Sequence, residues 1–275
     1  MTSIIIPAHN EATTIGNNLT YLLEVSKNLA VQIIVVCNGC HDKTAEIVRS
    51  FEEVLCIETD VASKTFALNL GDQQATSYPR IYLDADVLLP QTSIEAMVKK
   101  LEEGYLAVAP EVSMDYQGCS WAVRAYYEIW LDLPYVKAGM IGAGVYALSE
   151  QGRMRFERFP DLIADDGYIR CLFKEDERTI INDVYSIVKA PKDLWSLIKI
   201  KTRSRLGRFQ LKQMYPHLIS NEVKNYSKAL EKYILDFFQW PKLIIYLLVN
   251  LVSRFRANHQ FKSHSLIWER DESNR

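Results

Sequence analysis

Apolar and polar positions follow two rhythms along the first ninety residues. Ser3–Ile6 is a short apolar run closed by Pro7, and it reads as a buried strand. Ile15, Leu19, Leu22 and Leu23 then recur at helical spacing. Gln32–Val36 predicts a second strand, and Asp42 is placed to cap a helix carrying Ala45, Val48 and Phe51 on one face. Val54–Ile57 predicts a third strand, Lys64–Gln74 a helix and Arg80–Leu83 a fourth strand. Strands alternating with helices imply parallel pairing and a sheet covered on both faces.

The second half is less regular. Tyr105–Ala109 predicts a strand, Trp121–Leu131 a helix and Val145–Leu148 a strand. The last follows Gly139-Met140-Ile141-Gly142-Ala143-Gly144, which lacks the spacing of a phosphate loop. Close packing or an acceptor-facing loop suits it better. Asp161–Glu175 holds Asp165-Asp166 near a helix start, where the helix dipole alone favours acids. Leu243–Val249 is wholly apolar, with Phe237, Phe238 and Trp240 before it and Asn250, Arg254 and Arg256 after it. A spanning helix needs about 20 apolar residues, so this run reads as a helix lying in a membrane interface. A core helix or a contact between copies is the alternative. No internal repeat is present.

The chemistry concentrates at Leu83-Asp84-Ala85-Asp86. On an extended chain two carboxylates one residue apart project to the same side, and they repel unless a cation sits near them. Mg²⁺ prefers such oxygen ligands and bridges to phosphates, so a metal–diphosphate site is expected. Aspartates after strands also simply turn the chain or cap a helix. Here Thr92 and Glu95 form a capping box of their own, just after Pro90. Ligands of such sheets bind outside the carboxyl ends of the strands. Asn10, Glu11, Asn38, Asp42, Asp84 and Asp86 all fall there.

Composition narrows the classes. The chain of 275 residues is 48% hydrophobic and 24% charged, with net charge -2. That allows one large domain or a domain with an appendage, and argues against general nucleic-acid binding. Between Asp193 and Glu222 there is no acid, while Lys199, Lys201, Arg203, Arg205, Arg208 and Lys212 cluster there. This is a local anion site or a membrane-facing patch. The five cysteines are irregularly spaced, which suits reduced thiols. Cys37-Asn38-Gly39-Cys40 has a redox pair's spacing but reads more simply as a strand end and turn; no second pair completes a zinc site. The start of the chain has no basic region followed by a long apolar core, so no secretory signal is expected and the cytoplasmic side is.

Taken in order, six segments make the chain resemble the family-2 glycosyltransferases of GT-A fold. They are Ile5-Ile6-Pro7-Ala8-His9-Asn10-Glu11, Asn38-Gly39-Cys40-His41-Asp42-Lys43-Thr44, Lys64-Thr65-Phe66-Ala67-Leu68-Asn69, Asp84-Ala85-Asp86, Asp165-Asp166 and the arginines of Arg203–Arg208. The resemblance implies a Rossmann-like, mixed but mainly parallel sheet flanked by helices over residues 1–215. A C-terminal helical segment, 216–275, would contact the membrane. Pro7, Asn10 and Glu11 would line the nucleoside pocket, with Asn38 beside the base and Lys64 also assigned to the donor. Asp84 would lie near the ribose and Asp86 would be the main ligand of Mg²⁺ or Mn²⁺, with Asp84 sharing it. Asp166 would be the catalytic base. Arg203, Arg205 and Arg208 would close over the diphosphate.

There are departures from the pattern. Cys37-Asn38 stands where paired aspartates are usual, Asp165 replaces a glutamate, and the Q-x-x-R-W motif of processive synthases is absent. The absent motif argues for transfer of single sugars, and the resemblance implies inverting transfer from a nucleotide sugar to a hydroxyl. The acceptor would be lipid-linked or another cell-envelope glycan, handled at the cytoplasmic membrane face. A polyprenyl-phosphate glycosyltransferase and a silent nucleotide-sugar-binding module are the alternatives. A Rossmann dehydrogenase is disfavoured, because the first strand–helix turn has no glycine fingerprint.

Overall fold

The computed structural model describes residues 1–138, 142–221 and 227–263. In chain order the elements are β1 (Thr2–Ala8), α1 (Ile15–Ser26), β2 (Val31–Asn38), α2 (Thr44–Arg49), β3 (Val54–Thr59), α3 (Lys64–Gln74), β4 (Arg80–Leu83), β5 (Val87–Leu88) and α4 (Gln91–Glu102). Then come β6 (Ala107–Asp115), α5 (Trp121–Leu131), α6 (Pro134–Ala138), β7 (Val145–Leu148), α7 (Glu150–Arg153), α8 (Asp165–Leu172) and β8 (Arg178–Lys189). The helices α9 (Leu194–Met214), α10 (Ser227–Leu235) and α11 (Trp240–Lys262) follow. Residues 139–141 of the glycine-rich stretch lie outside the described residues.

One sheet runs in the order β3-β2-β1-β4-β7-β6-β8-β5. Strands β3, β2, β1 and β4 are parallel; β7 is antiparallel to β4 and β6, and β8 is parallel to β6. The fold is GT-A: a mixed α/β sheet with helices on both faces. The β1 side chains divide by the period of a strand. Ile4, Ile6 and Ala8 pack with Ile15, Leu19 and Leu22 of α1 and with Ile94 and Met97 of α4. Ile5 faces the other way, toward Ala67 and Leu68 of α3 and Ile169 of α8. A third cluster joins Val123 and Tyr126 of α5, Leu197 of α9 and Tyr246 and Val249 of α11.

Two expectations need correction. Pro7 does not close β1 but lies within it, opposite Val36. It is tolerated because β4 pairs only with Ser3–Ile5, so no ladder partner is lost at Pro7. The capping box at Thr92 does not form either. Helix α4 starts two residues earlier, with Pro90 at its N-cap position and no side-chain cap, and Glu95 accepts a hydrogen bond from the Gln91 amide instead.

Candidate active site

The carboxyl edge of β1 and β2 is a network of short polar contacts. His9 Nδ1 lies 2.5 Å from the Asn38 carbonyl. Asn10 has φ 51°, a left-handed conformation that Asn tolerates. Its Oδ1 accepts from the His41 backbone N–H at 2.8 Å. Glu11 is buried; its N–H donates to Thr44 Oγ1 and its Oε2 accepts from the Thr14 hydroxyl. Asp42 caps from just outside α2, accepting from the Thr44 N–H at 3.0 Å. Asn10, Glu11 and the buried Asn38 thus pin the loops after β1 and β2 to each other. All five cysteines are free thiols.

A cluster of charge sits beyond β4. Val87 N–H donates to the Asp84 carbonyl at 3.1 Å, which bends Asp84-Ala85-Asp86 into a turn. The expected extended chain, with both carboxylates on one side, is therefore corrected. Asp84 enters a pocket and Asp86 is exposed. Lys64, the first residue of α3, reaches both Asp84 Oδ1 (2.7 Å) and Asp165 Oδ1 (3.0 Å). Burial opposes its charge, but Asp165, Asp84 and Asp166 together hold its ammonium well above the ordinary lysine range. Tyr146 donates its hydroxyl to Asp165 Oδ2 at 3.3 Å.

Among the described residues Asp166 has no comparable ion pair. Its Oδ1 accepts from the Gly167 N–H at 2.7 Å. Burial, then the adjacent Asp165, push its carboxyl up to about 6, against the pull of Lys64 and Arg170. Pro7, Lys64, Asp84, Gly142, Asp165 and Asp166 line one pocket. Gly142 has φ +48°, and a Cβ there would come within 2.2 Å of the Asp166 Cβ. A Cβ on Gly144 would meet Val87 at 2.5 Å and Asp84 Oδ2 at 3.4 Å. The glycine-rich stretch therefore acts by close approach: its described part passes directly over two acids.

The basic cluster lies on α9, and helical spacing divides it. Gly207 packs on Ala164, and Gln210 Oε1 accepts from the Ile163 N–H at 3.0 Å. This face of α9 therefore meets the segment leading into Asp165-Asp166, and Arg203 lies one turn before Gly207 on it. Arg205 does not belong there, which corrects its expected diphosphate contact. Its guanidinium donates to Asn250 Oδ1 (2.5 Å) and Ser253 Oγ (3.0 Å) of α11. Arg208 is half-buried next to Gly207 in sequence.

Sequence reasoning missed Tyr146 and Arg170. Arg170 follows Asp166 by four residues, a helical spacing that pairs opposite charges and was a usable signal. Tyr146 gave none, because only the β4–β7 register sets it beside Tyr82, with ring centroids 5.0 Å apart. Among the described residues no three His, Cys, Asp or Glu side chains converge as metal ligands. Mg²⁺ is commonly held by one or two carboxylates plus substrate phosphates. Asp84 in the pocket and Asp86 exposed two residues on are oxygen donors of the type such a cation takes, with a donor diphosphate to complete its ligands.

Comparison with known proteins agrees with this architecture. The model of the family described as "Glycosyl transferase family 2" matches residues 3–157, more than half of the chain, and the chain belongs to that family. It is 30% identical over 118 residues to 4,4'-diaponeurosporenoate glycosyltransferase of Staphylococcus aureus, covering 39% of this chain and 31% of the relative. The match thus spans about a third of that relative's length. Among solved structures, a mannosyltransferase from Pyrobaculum calidifontis in complex with GDP-Man and Mn²⁺ superposes with TM-score 0.60 at 21% identity, over 94% of this chain and 72% of that one. TarS of Staphylococcus aureus, in complex with UDP-GlcNAc, superposes with TM-score 0.56 at 12% identity, over 95% and 89%. At those identities the likeness establishes the fold.

Proposed function

We propose that this glycosyltransferase transfers a single sugar, with inversion, from a nucleotide-diphosphate sugar to a hydroxyl of a lipid-linked or other cell-envelope acceptor. The observation that carries the reading is the half-buried Asp166, raised toward neutrality in the same pocket as Asp84 and Lys64. A general base works best when its pKa lies near the operating pH. The neighbours that bind GDP-Man or UDP-GlcNAc share the fold, which supports a nucleotide-sugar donor. The catalytic unit is assigned to residues 1–215.

In this reading Pro7, Asn10, Glu11 and Asn38 form the nucleoside wall. Asp84 and Asp86 hold a divalent cation, Mg²⁺ or Mn²⁺, which when bound supplies positive charge against the leaving diphosphate. Lys64, Arg203 and Arg208 add fixed positive charge. The acceptor oxygen forms a bond to the anomeric carbon opposite the leaving group. Its proton passes to Asp166 Oδ2, the oxygen not held by Gly167. The anomeric carbon–oxygen bond breaks with its electron pair going to the nucleoside diphosphate.

A thermal-shift screen of nucleotide sugars with Mg²⁺ or Mn²⁺ tests this, followed by turnover with the donor that binds. A specific donor at a hundredfold excess over Kd should stabilise the fold by about 2.7 kcal/mol. If no nucleotide sugar stabilises the protein with either cation, the reading fails. Binding without transfer or donor hydrolysis would point instead to a silent binding module. Transfer to a polyprenyl phosphate that survives Asp166→Asn would point to a phosphate acceptor, which needs little base catalysis.

A further inference from the structure

Helix α11 is amphipathic in the reverse sense. Its buried side is Tyr246, Val249, Ser253 and Ala257. Two polar residues join them there: Asn250, which accepts from Arg205, and Lys242, which pairs with Glu128 at 2.7 Å. Its exposed side is Trp240, Ile244, Leu247, Leu248, Leu251 and Phe255. Those positions recur at helical spacing and form one stripe about four turns long. Leu251 is 66% and Phe255 73% exposed. Just upstream, Leu235, Phe237 and Phe238 are exposed as well. Single exposed apolar residues are ordinary, but a contiguous patch rimmed by polar groups marks an interaction surface.

We infer that this stripe docks α11 flat in the interface of an anionic lipid bilayer. Charge selects the occupant. The helix has no acid, and its Arg254 and Lys262 are exposed; Lys242 is held by Glu128, and Arg256 lies over the Trp195 ring. A second copy docking α11 on α11 would offer Arg254 and Lys262 no carboxylate from that helix. Anionic headgroups offset them directly. Trp240, Phe237 and Phe238 gather at one end of the stripe, as aromatic side chains do at membrane interfaces. No described helix is long and apolar enough to cross a membrane, so contact is lateral.

Placement in the fold adds a consequence. Gly207 and Gln210 of α9 touch the segment before Asp165, while Arg205, on another side of α9, bonds to α11. A bilayer under α11 therefore lies one helix layer from the catalytic segment, where a lipid-linked acceptor would emerge.

The test is co-sedimentation of the full chain with phosphatidylcholine vesicles, with and without phosphatidylglycerol. The wild type should sediment with the anionic vesicles and be released by salt. Leu248→Glu with Leu251→Glu should lower vesicle affinity by about tenfold or more, with unchanged circular dichroism. Should the double variant not fold, Phe255→Ser serves instead. Failure of the wild type to bind, or equal binding by a folded variant, overturns the inference. So does a dimer that the variant dissolves while vesicles remain bare, which would assign the stripe to a second copy. None of these readouts depends on sugar transfer, so the two readings fail separately.

Discussion

Asp166→Asn keeps the side-chain shape and the bond from the Gly167 N–H, but removes the charge and the ability to take a proton. A free aspartate titrates near 3.8, and burial with the Asp165 charge pushes this one up to about 6. Between those values the folded protein holds a proton that the unfolded chain has released. Stability therefore falls as pH rises through that window. At about 1.4 kcal/mol for each pH unit, ionised Asp166 costs the fold up to about 3 kcal/mol at pH 8. The variant escapes that cost. It should be more stable than the wild type at pH 8 by up to about 3 kcal/mol, and equal to it below about pH 4. Urea unfolding across this range, without nucleotide or divalent cation, measures the difference. In parallel, turnover with a hydroxyl acceptor should fall by about 10² or more with donor binding nearly intact. A stability difference that does not change with pH would refute the electrostatic argument. Turnover within a few-fold of wild type would make Asp166 a helix-end residue only.

Asp86→Asn should leave the fold unchanged while abolishing most transfer and weakening donor binding, and chelation of the wild type should do the same; full activity in excess EDTA would remove the cation from the reaction. Gly142→Ala places a Cβ against Asp166 at a positive-φ position, so turnover should fall at least about tenfold and the variant should be less stable by about 1 kcal/mol or more, measured by urea unfolding. Arg205→Ala should destabilise the protein by about 1–3 kcal/mol, because Asn250 and Ser253 lose a charged donor, while donor affinity stays within a few-fold by titration.

Much of the sheet was legible because its strands obey simple periods. Arg80–Leu83, Trp121–Leu131 and Val145–Leu148 are found at the expected bounds. Strands β1 and β2 each extend a residue or two further, held by mutual pairing that no single run of residues displays. Strand β5, two residues long, exists only by pairing with β8. Helix α9 was visible as a basic cluster rather than as a helix. Its buried positions, including Leu197, Thr202, Leu206, Gly207 and Leu211, are separated by cations that obscure the apolar period. At the site, Asp84, Asp165 and Asp166 were legible as local acid pairs. Their sharing of Lys64 was not, since three separate elements must fold before one ammonium can reach two of them. The side of α9 that meets the catalytic segment was likewise hidden, and it is what separates Arg205 from the expected diphosphate contact.

The same helix explains why the C-terminal run looks misplaced by composition. A helix that buries Tyr246, Val249 and Ala257 yet exposes Leu247, Leu248 and Leu251 leaves much of its apolar surface unburied by its own protein. To that apolar contact its attachment adds specific polar ones: Arg205 to Asn250 and Ser253, and Lys242 to Glu128. Such contacts fix orientation more than they add stability, because each charged partner gives up water to form them. Orientation is what the arrangement requires. Rotating α11 by half a turn would bury the leucines but leave Arg205 without acceptors. The polar contacts thus hold the apolar stripe outward, and they do so on the helix whose other side supports Ala164 and the start of α8. The outward stripe and the raised carboxyl of Asp166 are two ends of one packed unit, joined through α9.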